Sequence, residues 1–324
     1  MNKDLTCLCD PLTGNVLREQ SGLLVSDAGK RYPIINNIPR FVEMQNYSDD
    51  FGSQWNKFPK TQLDSFTGLD ISESRLRRCL NDNLSVLKGK KVLEAGSGAG
   101  RFTEILLKYG AIVNSFDFSN AVEANAKNNG INDDLTLVQA DIRKIPFQKR
   151  IYDYVICLGV LQHTPNPEES IDSLYEMLSP DGVLVIDHYP WKWRIVLPPP
   201  IGESLSIYRL IMLRIPRRYR FKVIKKIVDF WFPIHWYYKD SSFIQRILRR
   251  LSPVLFYYPA IPLRDRQMYY EWALLDTHDG TTDFYKHRRT LSQITNHLNS
   301  LGAKDIRAQW GGNGIEAVCK KPKI

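Results

Sequence analysis

The chain has 324 residues, long enough for one large domain with additions or for two small ones. Its 43% hydrophobic content is ordinary for a globular protein. No apolar run approaches the ~18 residues of a membrane-crossing helix, and no signal-type segment opens it. The net charge of +9 is uneven: residues 190–270 hold 16 Lys or Arg against 4 Asp or Glu, a balance of +12 that leaves −3 for the rest.

The first 44 residues predict short strands separated by turns at Pro11, Gly14 and Gly29, a small β-rich domain closed by YPIINNIP. This segment resembles the zinc-ribbon-like domain of tRNA-methyltransferase activator proteins, whose full form carries two C-x-x-C knuckles. Here the first knuckle is reduced to Cys7-x-Cys9, and no cysteine stands near residues 24–29. Tetrahedral zinc needs four ligands. Two remain, so no metal is expected, and the segment's role is to pack on the core or hold a partner. All five cysteines (Cys7, Cys9, Cys79, Cys157 and Cys319) are scattered, which fits reduced thiols in a cytoplasmic protein. Residues 45–88 then place apolar side chains at helical spacing and read as leading helices.

Lys91 to Gly100 reads KVLEAGSGAG: a β-prone run ending in an acid, then Gly96, Gly98 and Gly100 alternating with small residues, then a helix from Arg101. Strand, glycine loop and helix form a nucleotide-binding turn, because glycine lets the backbone approach a ligand closely. Dinucleotide folds use G-x-G-x-x-G, with the helix aimed at a pyrophosphate. A carboxylate at Glu94 repels a pyrophosphate but suits an ammonium group. S-adenosylmethionine carries an ammonium and a sulfonium but no phosphate.

A second strand, AIVNSFDFS, ends at Asp117, placed to accept from both ribose hydroxyls. A third, LTLVQADI, ends at Asp141, placed to accept from the adenine amino group. The fourth runs through YDYVICLGVLQHT with Leu158 and Gly159 at its carboxyl edge. An amphipathic helix over NPEESIDSLYEML stops at Pro180-Asp181-Gly182, and GVLVIDHY makes the fifth strand. These landmarks over residues 89–190 resemble a class I S-adenosylmethionine-dependent methyltransferase of the ubiquinone-biosynthesis-like group. The resemblance implies an α/β fold: a Rossmann-like seven-stranded methyltransferase sheet with helices on both faces, beside the small N-terminal domain and a helical insertion. It implies S-adenosylmethionine as cofactor, bound by Glu94, Gly96, Gly98, Gly100, Arg101, Asp117, Phe118, Asp141, Ile142, Leu158 and Gly159. It also implies that the leading helices cover the cofactor. Trp55 and Arg75 would then touch its methionine end, and Arg75 or Arg101 would meet the carboxylate.

The expected organisation is the ribbon-like domain (1–44), the leading helices (45–88), the cofactor core (89–189), a basic helical insertion (190–272) and closing elements of the core (273–324). A Pro-rich stretch, Pro198 to Pro200, leads into the insertion. Residues 205–232 there alternate Leu, Ile, Phe and Trp with Arg and Lys, and Trp231, Phe232, Trp236, Tyr237 and Tyr238 gather at the end. Three readings follow: an acceptor lid, peripheral contact with an anionic membrane through residues 205–250, or nucleic-acid binding, which lacks any RNA-binding signature.

Methyl transfer is an in-line displacement in which the leaving group needs no proton, so aligning the acceptor is the main contribution. A base matters when the acceptor is a hydroxyl or a protonated amine. His163, on the loop after the fourth strand, is the first candidate. The stretch LLDTHDGTTDFYKH reads as a loop supplying Asp276, His278 and Tyr285 as further candidates. The expected function is methyl transfer to a small-molecule, lipid or glycan acceptor at a hydroxyl or amine. The alternatives are a non-catalytic scaffold of the same fold and an RNA methyltransferase using the insertion. A nicotinamide oxidoreductase is disfavoured by the glycine spacing.

Overall fold

A computed structural model describes residues 6–43, 49–130, 132–193 and 204–323. The expected Pro198–Pro200 lead-in lies outside the described residues. Four short strands come first: β1 (Arg18–Gln20), β2 (Leu23–Val25), β3 (Arg31–Ile35) and β4 (Ile38–Pro39). Helices α1 (Asp49–Lys57), α2 (Asp64–Thr67) and α3 (Ile71–Cys79) follow. The central stretch alternates β5 (Lys91–Ala95), α4 (Arg101–Lys108), β6 (Ile112–Asp117), α5 (Val122–Asn129), β7 (Leu135–Gln139), β8 (Tyr152–Cys157), α6 (Pro167–Met177) and β9 (Leu178–His188). Helices α7 (Ser204–Arg214), α8 (Arg217–Tyr237), α9 (Ser242–Leu251), α10 (Arg266–Thr282) and α11 (Leu291–Ser300) precede the hairpin β10 (Lys304–Gly311) and β11 (Gly314–Lys320).

The chain divides into two units. The first comprises residues 1–56, 70–190 and 285–324. Its sheet has seven strands in the order β10-β11-β9-β8-β5-β6-β7. Strands β7, β6, β5, β8 and β9 are parallel, while β11 runs antiparallel to both its neighbours. The parallel strands read as continuous apolar runs because both faces are covered. On one face, Leu93, Phe116, Val155, Leu174, Leu184 and Leu298 share a core cluster; on the other, Leu76, Val92, Phe102, Leu106, Val113 and Val185 form another. This is a Rossmann-like α/β architecture. The order reverses between β5 and β8, where open α/β sheets bind ligands beyond the carboxyl ends of their strands.

The amino-terminal strands form a separate four-stranded antiparallel sheet. Its Leu8, Leu17, Leu24 and Tyr32 join the first core cluster, and Cys9 N–H donates to Pro146 O at 3.0 Å. Burial raises the Cys9 thiol to about 11. Among the described residues, no group of three or more His, Cys, Asp or Glu is placed to hold a metal ion.

The second unit comprises Lys57–Leu69 and Trp191–Phe284 and is helical. Helix α10 packs on α7 and α8, and Phe232, Trp236, Phe256, Tyr258 and Tyr269 form an aromatic cluster. The loop expected over LLDTHDGTTDFYKH is instead helical as far as Thr282. Asp265 caps α10 by accepting from Met268 N–H at 2.9 Å, and its apolar side chains are buried. No described helix is long and apolar enough to cross a membrane.

Candidate functional site

The three glycines of the β5–α4 turn have left-handed φ of +77°, +53° and +89°, and two of them are also hemmed in by a neighbour. A Cβ on Gly96 would lie 2.2 Å from Val160 Cγ2, and one on Gly100 2.2 Å from Asn129 Nδ2. One on Gly98 would lie 3.4 Å from the Trp55 indole, so α1 does cross in front of this glycine.

Helix α5 holds the loop from behind. Asn128 and Asn129 donate to the carbonyls of Ala99 and Gly100 at 2.8 and 3.0 Å, and Asn125 donates to Thr103 Oγ1 at 2.9 Å. Sequence reasoning missed this clamp. Its signal was three asparagines in an eight-residue helix, where that residue is otherwise disfavoured.

The loop's own N–H groups are engaged within the chain. Gly96 and Ser97 donate to Phe116 O at 2.8 and 3.1 Å, Gly98 to Asp117 Oδ2 at 2.9 Å, and Gly100 to Ser97 O at 2.9 Å. A pyrophosphate cradle needs such groups aimed at the ligand. With these four occupied, one beside a carboxylate, the turn does not suit a dinucleotide.

Glu94 is buried at the end of β5. Its Oε2 accepts from Ser115 Oγ at 2.7 Å and from Thr103 Oγ1. Its Oε1 is buried with no hydrogen-bond partner among the described residues, as is Ser97 Oγ. Burial raises the Glu94 carboxyl to about 7, against the pull of the two hydroxyls. A buried carboxylate oxygen without a donor fits a cationic ligand group.

At the end of β6, half-buried Asp117 also accepts from Ser119 N–H and Oγ at 2.8 and 2.7 Å, and burial raises its pKa. Phe118 follows, its carbonyl accepting from Gln139 Nε2 at 3.0 Å. Asp141 already has a cation: Arg143 donates to its two oxygens at 3.1 and 2.7 Å. Ile142 and Leu158 are buried, and Gly159 has φ +81°.

Arg101 opens α4, and its Nε donates to Ser72 Oγ at 2.9 Å. Arg75, expected to meet the methionine carboxylate, pairs instead with Asp187 at the end of β9. Asp187 is fully buried, accepts from Gly159 N–H at 2.5 Å and from Asn313 Nδ2 at 3.2 Å, and was not singled out in the sequence. The rule that picked Asp117 and Asp141, an acid closing a parallel strand, would have found it.

His163 lies in a 3-10 turn, Leu161–His163, after β8. Its Nδ1–H donates to Tyr285 O at 3.2 Å, and its ring stands edge-on to Tyr189 at 5.4 Å. In the neutral ring this leaves the lone pair on Nε2. His163 and Tyr285 therefore belong to the sheet unit, whereas Asp276 and His278 belong to the helical unit. There Asp276 accepts from Gln62 Nε2 at 2.9 Å and Trp272 Nε1 at 3.0 Å. His278 is buried, beside the Phe221 ring, and burial lowers its pKa to about 4.

Residues 93–186 match the family model described as a methyltransferase domain. The chain is 34% identical over 120 residues to a ubiquinone biosynthesis O-methyltransferase of Coxiella burnetii, covering 36% of this chain and 51% of that one. Its counterpart from Glaesserella parasuis is 29% identical over 153 residues, with 44% and 65% covered. The chain thus spans about half the length of the Coxiella relative. Among solved structures, magnesium protoporphyrin IX methyltransferase from Synechocystis PCC 6803 with bound SAH is similar over 86% of this chain and 97% of that one, at 14% identity and a TM-score of 0.43.

Proposed function

We propose that the chain transfers the methyl group of S-adenosylmethionine to a hydroxyl of a small-molecule or lipid acceptor. The observation that carries this reading is Glu94: a fully buried carboxylate with one oxygen lacking a donor, at the root of a glycine loop unsuited to phosphate. The O-methyltransferase names of the relatives favour oxygen over nitrogen as the methylated atom.

In this reading Glu94 takes the cofactor's ammonium, and Gly96, Gly98 and Gly100 leave room for its backbone-like methionine part. Arg101 meets the carboxylate in place of Arg75. Asp117 accepts from the ribose hydroxyls, flanked by Phe118, while Asp141, Ile142, Leu158 and Gly159 hold the adenine. Bound cofactor supplies an electrophilic methyl group on sulfur. His163 accepts the proton of the acceptor hydroxyl at Nε2, the nitrogen left basic by the bond from Nδ1–H to Tyr285. That bond also fixes the ring's direction. Asp276 and His278 have no part in the step.

Titration calorimetry with S-adenosylmethionine tests the cofactor site. Asp117→Ala should weaken binding about tenfold or more, since a hydrogen bond to a charged group contributes about 1.5–3 kcal/mol. An unchanged dissociation constant would remove Asp117 from the site, and no heat from the native chain would favour the scaffold reading. A screen of phenolic, polyprenyl, glycan and RNA acceptors with labelled methyl donor then identifies the acceptor. Loss of transfer in His163→Ala, with cofactor affinity retained and a shifted pH profile in His163→Asn, marks the base.

A further inference from the structure

Helix α9 has two faces that differ in kind. Its inner face is anchored to the helical unit: buried Gln245 donates from Nε2 to the carbonyls of His235 and Tyr238 at 2.8 and 3.1 Å, and its Oε1 accepts from His235 Nδ1–H at 2.8 Å. Leu248 is buried beside it. The outer face carries Phe243, Ile247 and Leu251, which are 68%, 43% and 53% exposed. Their spacing of four residues makes a single apolar stripe, and Arg246 and Arg250 run along its edge. Helix α7 lies alongside, with Ser204 Oγ donating to Ser252 O at 2.8 Å. It exposes Ile207, Leu210 and Ile211 and ends in Arg214.

Single exposed apolar residues are ordinary, but a stripe on one helix beside a second apolar face marks a surface that meets something. Charge narrows what it meets. Residues 204–251 hold 12 Lys or Arg against 2 Asp. Both aspartates are engaged by Lys225 and Lys239, and Arg209 pairs with Asp283. Arg246 and Arg250 make no ion pair among the described residues. A second copy on this face would set the arginines against their own images. Single-stranded nucleic acid calls for a run of aromatic platforms, and Phe243 is the one aromatic residue among Phe243, Ile247 and Leu251. An anionic bilayer accepts both features, since acyl chains take the stripe while arginine stems lie along apolar surface and their heads reach phosphates.

We propose that α9, with α7 beside it, seats the protein on the interfacial layer of an anionic lipid bilayer through Phe243, Ile247 and Leu251, with Arg246 and Arg250 at the headgroups. On α8, by contrast, Lys225 is already paired with Asp229.

Flotation of the full chain with vesicles tests this. Binding to phosphatidylglycerol-containing vesicles should exceed binding to pure phosphatidylcholine by about tenfold and fall as salt rises. Phe243→Ser with Ile247→Ser should lower vesicle binding by about tenfold or more, with melting temperature and S-adenosylmethionine affinity retained. Phe243→Trp should bind at least as well as the native chain, because Trp favours the interface. Arg246→Gln with Arg250→Gln should lose most of the preference for the anionic lipid. Equal binding to the two vesicle types, or native-like binding by the double Ser variant, overturns the proposal. So does a dimer in light scattering that the double Ser variant dissolves while vesicles go unbound, or binding to RNA in place of vesicles. Cofactor affinity is read separately, so failure here leaves the methyltransferase reading standing.

Discussion

In the β5–α4 turn and in α10, the sequence singles out polar residues at similar density, and the two regions keep them for opposite reasons. Glu94 sits at the root of a turn whose three glycines are all left-handed, and one of its buried oxygens has no hydrogen-bond partner among the described residues. In α10, Asp276 has Gln62 and Trp272 on its two oxygens, and Thr281 and Thr282 donate to backbone carbonyls one turn back at 2.6 and 2.8 Å. A buried polar group that needs a ligand and one that satisfies its own helix look alike as letters. What separates them is whether the surrounding backbone leaves an atom unpaired.

The largest expected effect tests whether the sheet unit depends on its polar centre. Asp187→Asn removes a fully buried charge opposite half-buried Arg75, whose own pKa desolvation lowers to about 10, and should destabilise the protein by about 3–5 kcal/mol. Denaturant unfolding measures it. A loss below about 1 kcal/mol would make this cluster as replaceable as a surface pair.

His278 sharpens the contrast from the helical side. Its folded pKa of about 4 lies below the ordinary value of 6.5, so the unfolded chain binds the proton first. Stability should be full above pH 6.5 and fall by about 3 kcal/mol toward pH 4 on account of this residue. His278→Gln should flatten that slope in pH-dependent melts while leaving cofactor affinity unchanged. A change in affinity would return His278 to the site.

Gly96→Ala meets both Val160 and a left-handed φ, and should cost about 2–4 kcal/mol. Adding Val160→Ala should restore the packing share and leave roughly 1 kcal/mol of backbone strain. If the second change restores nothing, the clash is not the cause.

The smallest effect concerns Glu94. With its pKa raised to about 7, the empty site is largely protonated below neutrality, and an ammonium ligand must displace that proton. S-adenosylmethionine affinity should then fall by up to about tenfold for each pH unit below 7, with proton release seen by calorimetry in buffers of different ionisation enthalpy. A flat profile would place the ammonium elsewhere.

The parallel strands, the glycine turn and the acids at the ends of β5, β6 and β7 were legible because each depends on local pattern: an apolar run, a positive φ, an acid closing a strand. Three things were not. Arg75 was assigned to the ligand because its true partner, Asp187, is 112 residues away. The α10 stretch looked like a loop because its threonines and Gly280 are poor helix formers, and only tertiary burial overrides that preference. The membrane-facing reading spanned residues 205–250 without separating α9 from α8, since a sequence count of charge cannot tell a paired lysine from an unpaired arginine.

Where the sheet unit gives way to the helical segment, the two cut ends are tied together. Pro190 bridges Arg289, and Arg289 N–H donates to Tyr189 O at 3.0 Å. The 94 residues from Trp191 to Phe284 therefore leave and rejoin the sheet unit at adjoining points. Exchanging such a segment for another of different length asks nothing of strand register, since the junction closes on itself. The fold thus treats its helical segment as a cassette. Chimaeras that replace the segment between Pro190 and Tyr285, together with Lys57–Leu69 of the same unit, test whether the sheet unit folds without its native helices.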